Sequence, residues 1–233
     1  MVPPQGSDCT VMCALAVVAT VRDTVLPAME AEGRGVRMVW DPTVALMARL
    51  AAGEKADAIV AIGWALDRLA AEGRIVAPSR RAVARAVFGL AVAPGAPRPA
   101  LPDAEAVRAF LLGAPSIVWS RAGASGIYFE RLIDRLGIGA AIRARGTVIP
   151  AGFTGEVVAR GEAAVAIQQQ SELLAVAGID YLGPFPPDVQ EVTDFDAAIL
   201  ADARDPEGAR RFIDHLTGPA AHASLLRAGM IPR

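Results

Sequence analysis

Short runs of apolar and β-branched residues alternate along the chain with longer segments rich in Ala, Leu and Arg, the pattern of βαβ units with parallel strands. The continuous apolar run from Val11 to Val18 predicts a buried strand, and Asp23 to Glu32 a helix that Gly33 and Gly35 terminate. Val36 to Trp40 predicts a second strand. Asp41, Pro42 and Thr43 then supply turn and cap chemistry for a helix over Val44 to Ala52, with Gly53 placed to end it. A third strand is expected at Ala58 to Ile62, a helix at Ala65 to Ala71 closed by Gly73, and a longer apolar strand at Ala82 to Ala93.

Four prolines between Pro94 and Pro102 read as a linker or crossover, after which the alternation resumes. Strands are expected at Ser116 to Ser120, Thr147 to Ile149, Ala163 to Gln168 and Ile179 to Leu182, with helices around Gly126 to Leu136, Gly155 to Arg160 and Ser171 to Val176. Glu191 to Leu200 reads as an extended return strand, and Asp205 to Leu216 and Pro219 to Ala228 as closing helices.

The 233 residues are 53% hydrophobic, 21% charged and 5% aromatic. At about 100 to 200 residues per domain, this allows one large α/β domain or two lobes, each with a core of its own. The 23 basic and 25 acidic residues nearly cancel and are scattered, and Lys55 is the only lysine. Without a basic stripe or interleaved aromatics, no nucleic-acid partner is expected. The apolar run Val11 to Thr20 is about half the roughly 20 residues of a membrane span, and Arg22 and Asp23 follow it, so the chain is not expected to be membrane-inserted. Met1 to Thr10 carries one charged side chain, the negative Asp8, where a secretory signal would be positive. The expected location is therefore cytoplasmic, or periplasmic if the chain is a processed form. Cys9 and Cys13 have no third Cys or nearby His to complete a cluster, so they read as reduced packing residues; no metal and no cofactor are expected.

Several chemical motifs fail on inspection. The only lysine lies in Gly53-Glu54-Lys55-Ala56, which is no phosphate loop. Gly137-Ile138-Gly139 has Ile142 in place of the third glycine of a dinucleotide fingerprint and follows a helix. His215 and His222 sit on Ala- and Leu-rich closing helices, which argues against a histidine triad. What remains is a set of strand-to-helix turns rich in small polar residues: Thr20 to Arg22, Asp41 to Thr43, Ser120 to Gly126, Phe153 to Gly155 and Gln168 to Ser171. Helix N-termini at such turns present N–H groups and favour anions. Arg22 and Arg121 sit where a helix dipole disfavours a cation, which a bound anion would explain.

From about Val11 to Pro232 the chain resembles the type II solute-binding proteins of ABC transporters, in the branch that contains periplasmic molybdate-binding proteins. The marks are Ala51-Ala52-Gly53-Glu54 before Ala56-Asp57-Ala58-Ile59-Val60, the strand-turn-helix Ser125-Gly126-Ile127-Tyr128, Ala166-Ile167-Gln168-Gln169-Gln170-Ser171-Glu172-Leu173, and Leu216-Thr217-Gly218-Pro219-Ala220-Ala221. The resemblance implies a two-lobe α/β fold of mainly parallel sheets flanked by helices, with a ligand cleft between the lobes. Lobe one would comprise residues 1–92 and 193–233, and lobe two residues 93–192, joined by a two-segment hinge. It also implies a small anionic ligand and, if the chain is exported, the membrane component of an ABC transporter as partner.

The expected ligand contacts are helix N-termini together with Thr20, Arg22, Thr43, Ser120, Arg121, Ser125, Thr154 and Gln169. Molybdate-binding members hold the oxyanion with serines after the first strand and near the second helix, and with a tyrosine in a late turn. Here those regions read Val18-Ala19-Thr20-Val21 and Asp41-Pro42-Thr43-Val44, with Gln169 at the tyrosine's place. Arginine forks and glutamine amides suit planar carboxylates better than tetrahedral oxyanions, so an organic acid is favoured. A branch of the family resembles aconitate isomerase, which implies an alternative function: a cytoplasmic isomerase that moves the double bond of an unsaturated polycarboxylate by proton transfer. Asp23, Asp41, Tyr128 and Glu172 are the acid/base groups weighed for that chemistry, and none carries a motif that selects it.

Overall fold

The structure, a computed structural model, describes residues 9–233, so all but Cys9 and Thr10 of the stretch read for a secretory signal lies outside the described residues. The chain divides into two compact units, one of the described residues through Arg85 together with Thr193–Arg233, the other Ala86–Val192.

The first unit opens with β1 (Cys9–Cys13), a 3-10 turn at Leu15–Val17, α1 (Val18–Thr20), a π-helical turn at Val21–Val25 and α2 (Leu26–Ala31). The strand expected to reach Val18 thus stops at Cys13, and the helical run begins well before Asp23. A fully apolar run carries no periodicity to separate a buried strand from a buried helix. Here Ala16, Val17, Val21 and Val25 are all buried on helical turns. Next come β2 (Val36–Trp40), α3 (Thr43–Ala51), β3 (Ala58–Ile62), α4 (Gly63–Ala71) and β4 (Arg81–Val92). The division between units falls inside β4, ahead of the proline-rich stretch where a boundary was expected.

In the second unit follow α5 (Ala104–Gly113), β5 (Ile117–Ser120), α6 (Ala124–Arg135), α7 (Gly139–Arg143), β6 (Gly146–Ile149), α8 (Thr154–Ala159), β7 (Val165–Gln169), α9 (Gln170–Leu174) and β8 (Asp180–Pro184). The chain returns through β9 (Val192–Ile199) to α10 (Pro206–Leu216), α11 (Pro219–Arg227) and β10 (Ile231–Pro232). Helices α5 and α7 and strand β10 were not anticipated. For α5 a signal was present, since Asp103 caps it by accepting the Ala106 N–H at 2.9 Å.

Within the first unit β2, β1 and β3 run parallel and β9 joins β3 antiparallel. Met12, Ile59 and Ala61 bury one face against Leu46 and Leu50 of α3 and Leu66 and Leu69 of α4. Nine-residue helices such as these are marginal in isolation, below the ~12–15 residues needed in water, so this packing is what holds them. In the second unit β7, β5 and β6 are parallel, and β4 pairs antiparallel with β7 on one side and β8 on the other. Ile117 and Trp119 face Val107, Leu111, Phe129 and Leu132, while Val118 and Ala166 face Val157, Val158 and Leu173 on the opposite side. The alternation gives an α/β sheet covered on both faces. Trp119 donates its indole N–H to Glu130 at 2.9 Å.

The first unit is knotted by Asp57, a buried carboxylate just ahead of β3. It accepts the N–H groups of Thr10 at 2.7 Å, Arg204 at 2.6 Å and Asp205 at 2.9 Å, joining β1 to the segment that enters α10. Asp205 in turn caps α10 through the Gly208 N–H at 2.8 Å. Removing the carboxylate leaves buried donors unmatched, so Asp57→Ala is expected to destabilise the protein by about 3 kcal/mol or more, and Asp57→Asn by less. Urea unfolding of the three proteins at pH 7 checks the order.

Candidate functional site

Parallel strands deliver their carboxyl ends, and the helix N-termini that follow, to a common edge of each unit. In the second unit this edge holds Ser120 at the end of β5, Ile149 at the end of β6 and Gln169 at the end of β7. The Arg121 N–H donates to the Ile149 carbonyl at 2.8 Å, holding the turn after β5 against β6. The Ser120 hydroxyl accepts the Gly123 N–H at 3.1 Å, and the first bonds of α6 run from Gly126 and Ile127 to the Gly123 carbonyl. The N–H groups of Ala124 and Ser125 therefore stand outside the helix ladder, and Gly123, the residue before the helix, brings no side-chain cap. Helix α6 lies so close on β5 that a Cβ on Gly126 would fall 1.6 Å from the Ser120 carbonyl oxygen.

Beside it, Gln168 acts as a pin. Its carbonyl oxygen accepts the Thr154 N–H at 2.7 Å and the Thr154 hydroxyl at 2.9 Å, while its amide donates to the Gly152 carbonyl at 3.0 Å. Gln169 starts α9, its N–H donating to the Glu172 carboxyl at 3.3 Å. The Gln169 side chain meets the Glu172 N–H in a reciprocal cap, whereas the Ser171 Oγ atom is buried without a hydrogen-bond partner. Such orphans are uncommon in folded proteins and cost free energy unless something else meets them. Glu172 is buried on the same short helix; burial raises its carboxyl from the ordinary 4.5 to about 8, against the opposing pull of the Gln169 N–H and the Gln168 side chain.

In the first unit the corresponding edge is made by Cys13, Trp40 and Ile62. Thr43 opens α3, and its hydroxyl accepts the Ile62 N–H at 3.3 Å, tying the ends of β2 and β3 together. Neither α3 nor α4 has a side-chain cap at its start.

Of the residues singled out from the sequence, Ser120, Arg121 and Ser125 gather around the start of α6, Gln169 stands at the end of β7, and Thr154 opens α8, tied to β7 by Gln168. The Thr154 hydroxyl is already engaged by Gln168. Arg121 is exposed, and its side chain makes no hydrogen bond or ion pair among the described residues. Thr43 lies on the edge of the first unit. Thr20 is not in the turn after β1, which is formed by residues 14–17; it sits inside the helical run, fully buried, with an unmatched hydroxyl. Arg22 also lies within that run, on the surface, its guanidinium bound to Asp23 at 2.7 Å, so no anion is required to explain it. Among the four acid/base groups, Asp23 is taken by Arg22, Asp41 accepts from Arg49 at 2.7 Å and the Tyr128 hydroxyl donates to the Val189 carbonyl. The fourth, Glu172, has its carboxyl raised into the neutral range by burial. Ser171 and Gln168 were read only as part of a turn, because orphaned and pinned polar groups have no sequence signature.

Among the described residues no group of three or more His, Cys, Asp or Glu side chains is placed to hold a metal ion, and no helix is long and apolar enough to cross a membrane. Two outcomes follow from the geometry. Gly126→Ala is expected to destabilise strongly or abolish folding, read as loss of the cooperative thermal transition. Folded Glu172 keeps its proton up to about pH 8, whereas the unfolded chain releases it near 4.5; its contribution is complete below pH 4.5 and is lost as pH rises through 8. Glu172→Gln is therefore expected to gain at least about 1 kcal/mol on the parent at pH 9 relative to pH 5 in paired denaturation curves.

The family model described as bacterial extracellular solute-binding protein matches residues 9–231. An aconitate isomerase from a Pseudomonas species is 34% identical over 231 residues, which cover 96% of this chain and 87% of that protein. Among solved structures, the periplasmic molybdate-binding protein of Azotobacter vinelandii aligns with a TM-score of 0.79 at 18% identity, covering 96% of this chain and 99% of that one. The sulfate-binding protein SubI of Mycobacterium tuberculosis H37Rv aligns at 0.75, also at 18% identity, over 97% and 87%. At such identities the structural likeness speaks to the fold, and the fold is that of periplasmic binding proteins, as the motifs in the sequence implied. The chain belongs to the family of bacterial extracellular solute-binding proteins.

Proposed function

We propose that the protein captures a small organic polycarboxylate, with the carboxyl edge of the second unit supplying the donors. The observation that carries this reading is the presence on one edge of the uncapped start of α6 and the buried, unmatched Ser171 hydroxyl, with the Gln169 side chain beside it. Ala124 and Ser125 offer backbone N–H groups to one carboxylate. The Gln169 amide sets donor and acceptor side by side, and the exposed guanidinium of Arg121 provides a fork that matches a planar carboxylate in two bonds. Ser120, Ser125 and Thr154 are assigned as lining residues of this edge, and Thr20, Arg22 and Thr43, which lie in the first unit, are not assigned to it. The ligand class draws on the relative named aconitate isomerase; a tetrahedral oxyanion, as in the molybdate- and sulfate-binding neighbours, is the alternative class. As a binding protein it would deliver its cargo to the membrane component of an ABC transporter.

A second reading adds turnover, favoured by the 34% identity to that isomerase and by the buried carboxyl of Glu172, which holds or yields its proton within the neutral range. Such a reaction removes a proton from carbon beside a carboxylate and returns one at the far end of the three-carbon unit, so that the double bond moves and nothing is consumed.

The test is a thermal-shift panel of unsaturated and saturated di- and tricarboxylates against molybdate, tungstate and sulfate. A ligand at about 100 times its Kd adds about 2.7 kcal/mol, a rise of roughly 5–10 °C for a chain of this length. The expected result is a shift with carboxylates and none with the oxyanions; the reverse overturns the ligand class. Proton NMR of an unsaturated tricarboxylate incubated with the protein then separates capture from turnover, new vinyl or methylene signals being the mark of the isomerase.

A further inference from the structure

Glu172 is the third residue of α9, and its side chain is buried within the second unit. Two neighbours on the carboxyl edge hold it. Its carboxyl accepts the Gln169 N–H at 3.3 Å while the Gln169 side chain accepts the Glu172 N–H, and the Gln168 side chain adds a further bond. Among the described residues no arginine, lysine or histidine pairs with it. A carboxylate taken out of water with neutral donors alone is costly, so the buried group keeps its proton well above the usual carboxylate range, to about pH 8.

The elements packed on α9 bring no cation to it. Strand β7 carries no ionisable side chain, and from α8 there is Glu156, which is exposed. From β8 come Asp180, drawn to Arg98 at 3.8 Å, and Tyr181, whose hydroxyl donates to Gln170 at 2.9 Å. Arg121, exposed on the same edge, makes no bond to it. Residues 86–192 contain no histidine, cysteine or lysine: His215, His222, Cys9, Cys13 and Lys55 all belong to the first unit. Burial pushes the hydroxyls of Tyr128 and Tyr181 up from their ordinary value, away from neutrality. In the second unit it is therefore left to Glu172 to change charge in mildly alkaline solution.

That change falls beside the groups that meet the ligand. Ser171, whose buried hydroxyl is unmatched, precedes Glu172 in the chain, and Gln169 is bonded to it. A negative charge on Glu172 would stand one residue from the first and one hydrogen bond from the second. In surroundings of low dielectric it repels an anion held on that edge.

We propose that Glu172 makes capture proton-linked: the edge holds its anion while Glu172 keeps its proton and lets it go when Glu172 ionises. This rests on the reading of the protein as a polycarboxylate binder and adds the regulation of that same site. A bound anion disfavours the ionised acid, so binding near pH 8 draws a proton from solution. Affinity is full below that pH and falls as the pH rises through it.

The experiment titrates the parent and Glu172→Gln with trans-aconitate by calorimetry between about pH 7 and about pH 9.5, where the acid's own carboxyls are already ionised. Circular dichroism at each pH verifies the fold. The parent is expected to lose about tenfold in affinity across the range, and Glu172→Gln less than about twofold. At pH 8, titrations in buffers of different ionisation enthalpy are expected to show the parent taking up about half a proton on binding, a readout that needs no variant. A level affinity without uptake, release in place of uptake, or a Glu172→Gln that weakens with pH as the parent does overturns the proton link and leaves carboxylate capture in place. A parent that binds no carboxylate at any pH overturns the polycarboxylate reading and this one with it.

Discussion

The first unit depends on one buried carboxylate. Asp57 gathers three backbone N–H groups from two distant parts of the chain, and its own backbone continues the joint, its N–H donating to Thr10 and its carbonyl accepting from Leu200. A charge taken out of water is costly unless its lone pairs are met, so the geometry leaves β1, the approach to β3 and the entry to α10 a single arrangement. With those starts fixed, the three parallel strands end in register, and the turns that follow them inherit their positions.

The second unit solves the same problem at the other end of its strands. Gln168 ties residues 152–154 through its amide, fixing the entry to α8, and Gly126 lets α6 settle directly on the Ser120 carbonyl. Beside these contacts the Ser171 Oγ atom is unmatched and the N–H groups of Ala124 and Ser125 are uncapped. On the carboxyl edge of this unit they leave donors and an acceptor that a polar molecule can meet.

Much of this was legible in the sequence wherever a pattern had an end marker. Gly33, Gly53 and Gly73, each with positive φ, close the helices they were expected to close, and the strands β2 and β3 fall where apolar runs meet Asp41 and Gly63. The run from Val11 onward was misread because every residue in it is apolar, and only the buried turn at residues 15–17 decides where strand becomes helix. That error displaced Thr20 and Arg22 from a turn to the middle of a helix. The turns after β5, β6 and β7 were readable from small polar residues. The pinning by Gln168 and the buried state of Glu172 were not, because each depends on which neighbours the fold brings.

The order of the chain through the two units bears on how the protein is made. Residues 86–192 form their unit from one uninterrupted stretch, whose sheet can close as soon as β8 has been synthesised. The first unit cannot: its sheet lacks β9, and Asp57 lacks two of its three N–H partners, until Arg204 and Asp205 have left the ribosome. Strands β1 to β3 are therefore made before the second unit and completed after it, with a carboxylate that waits for Arg204 and Asp205.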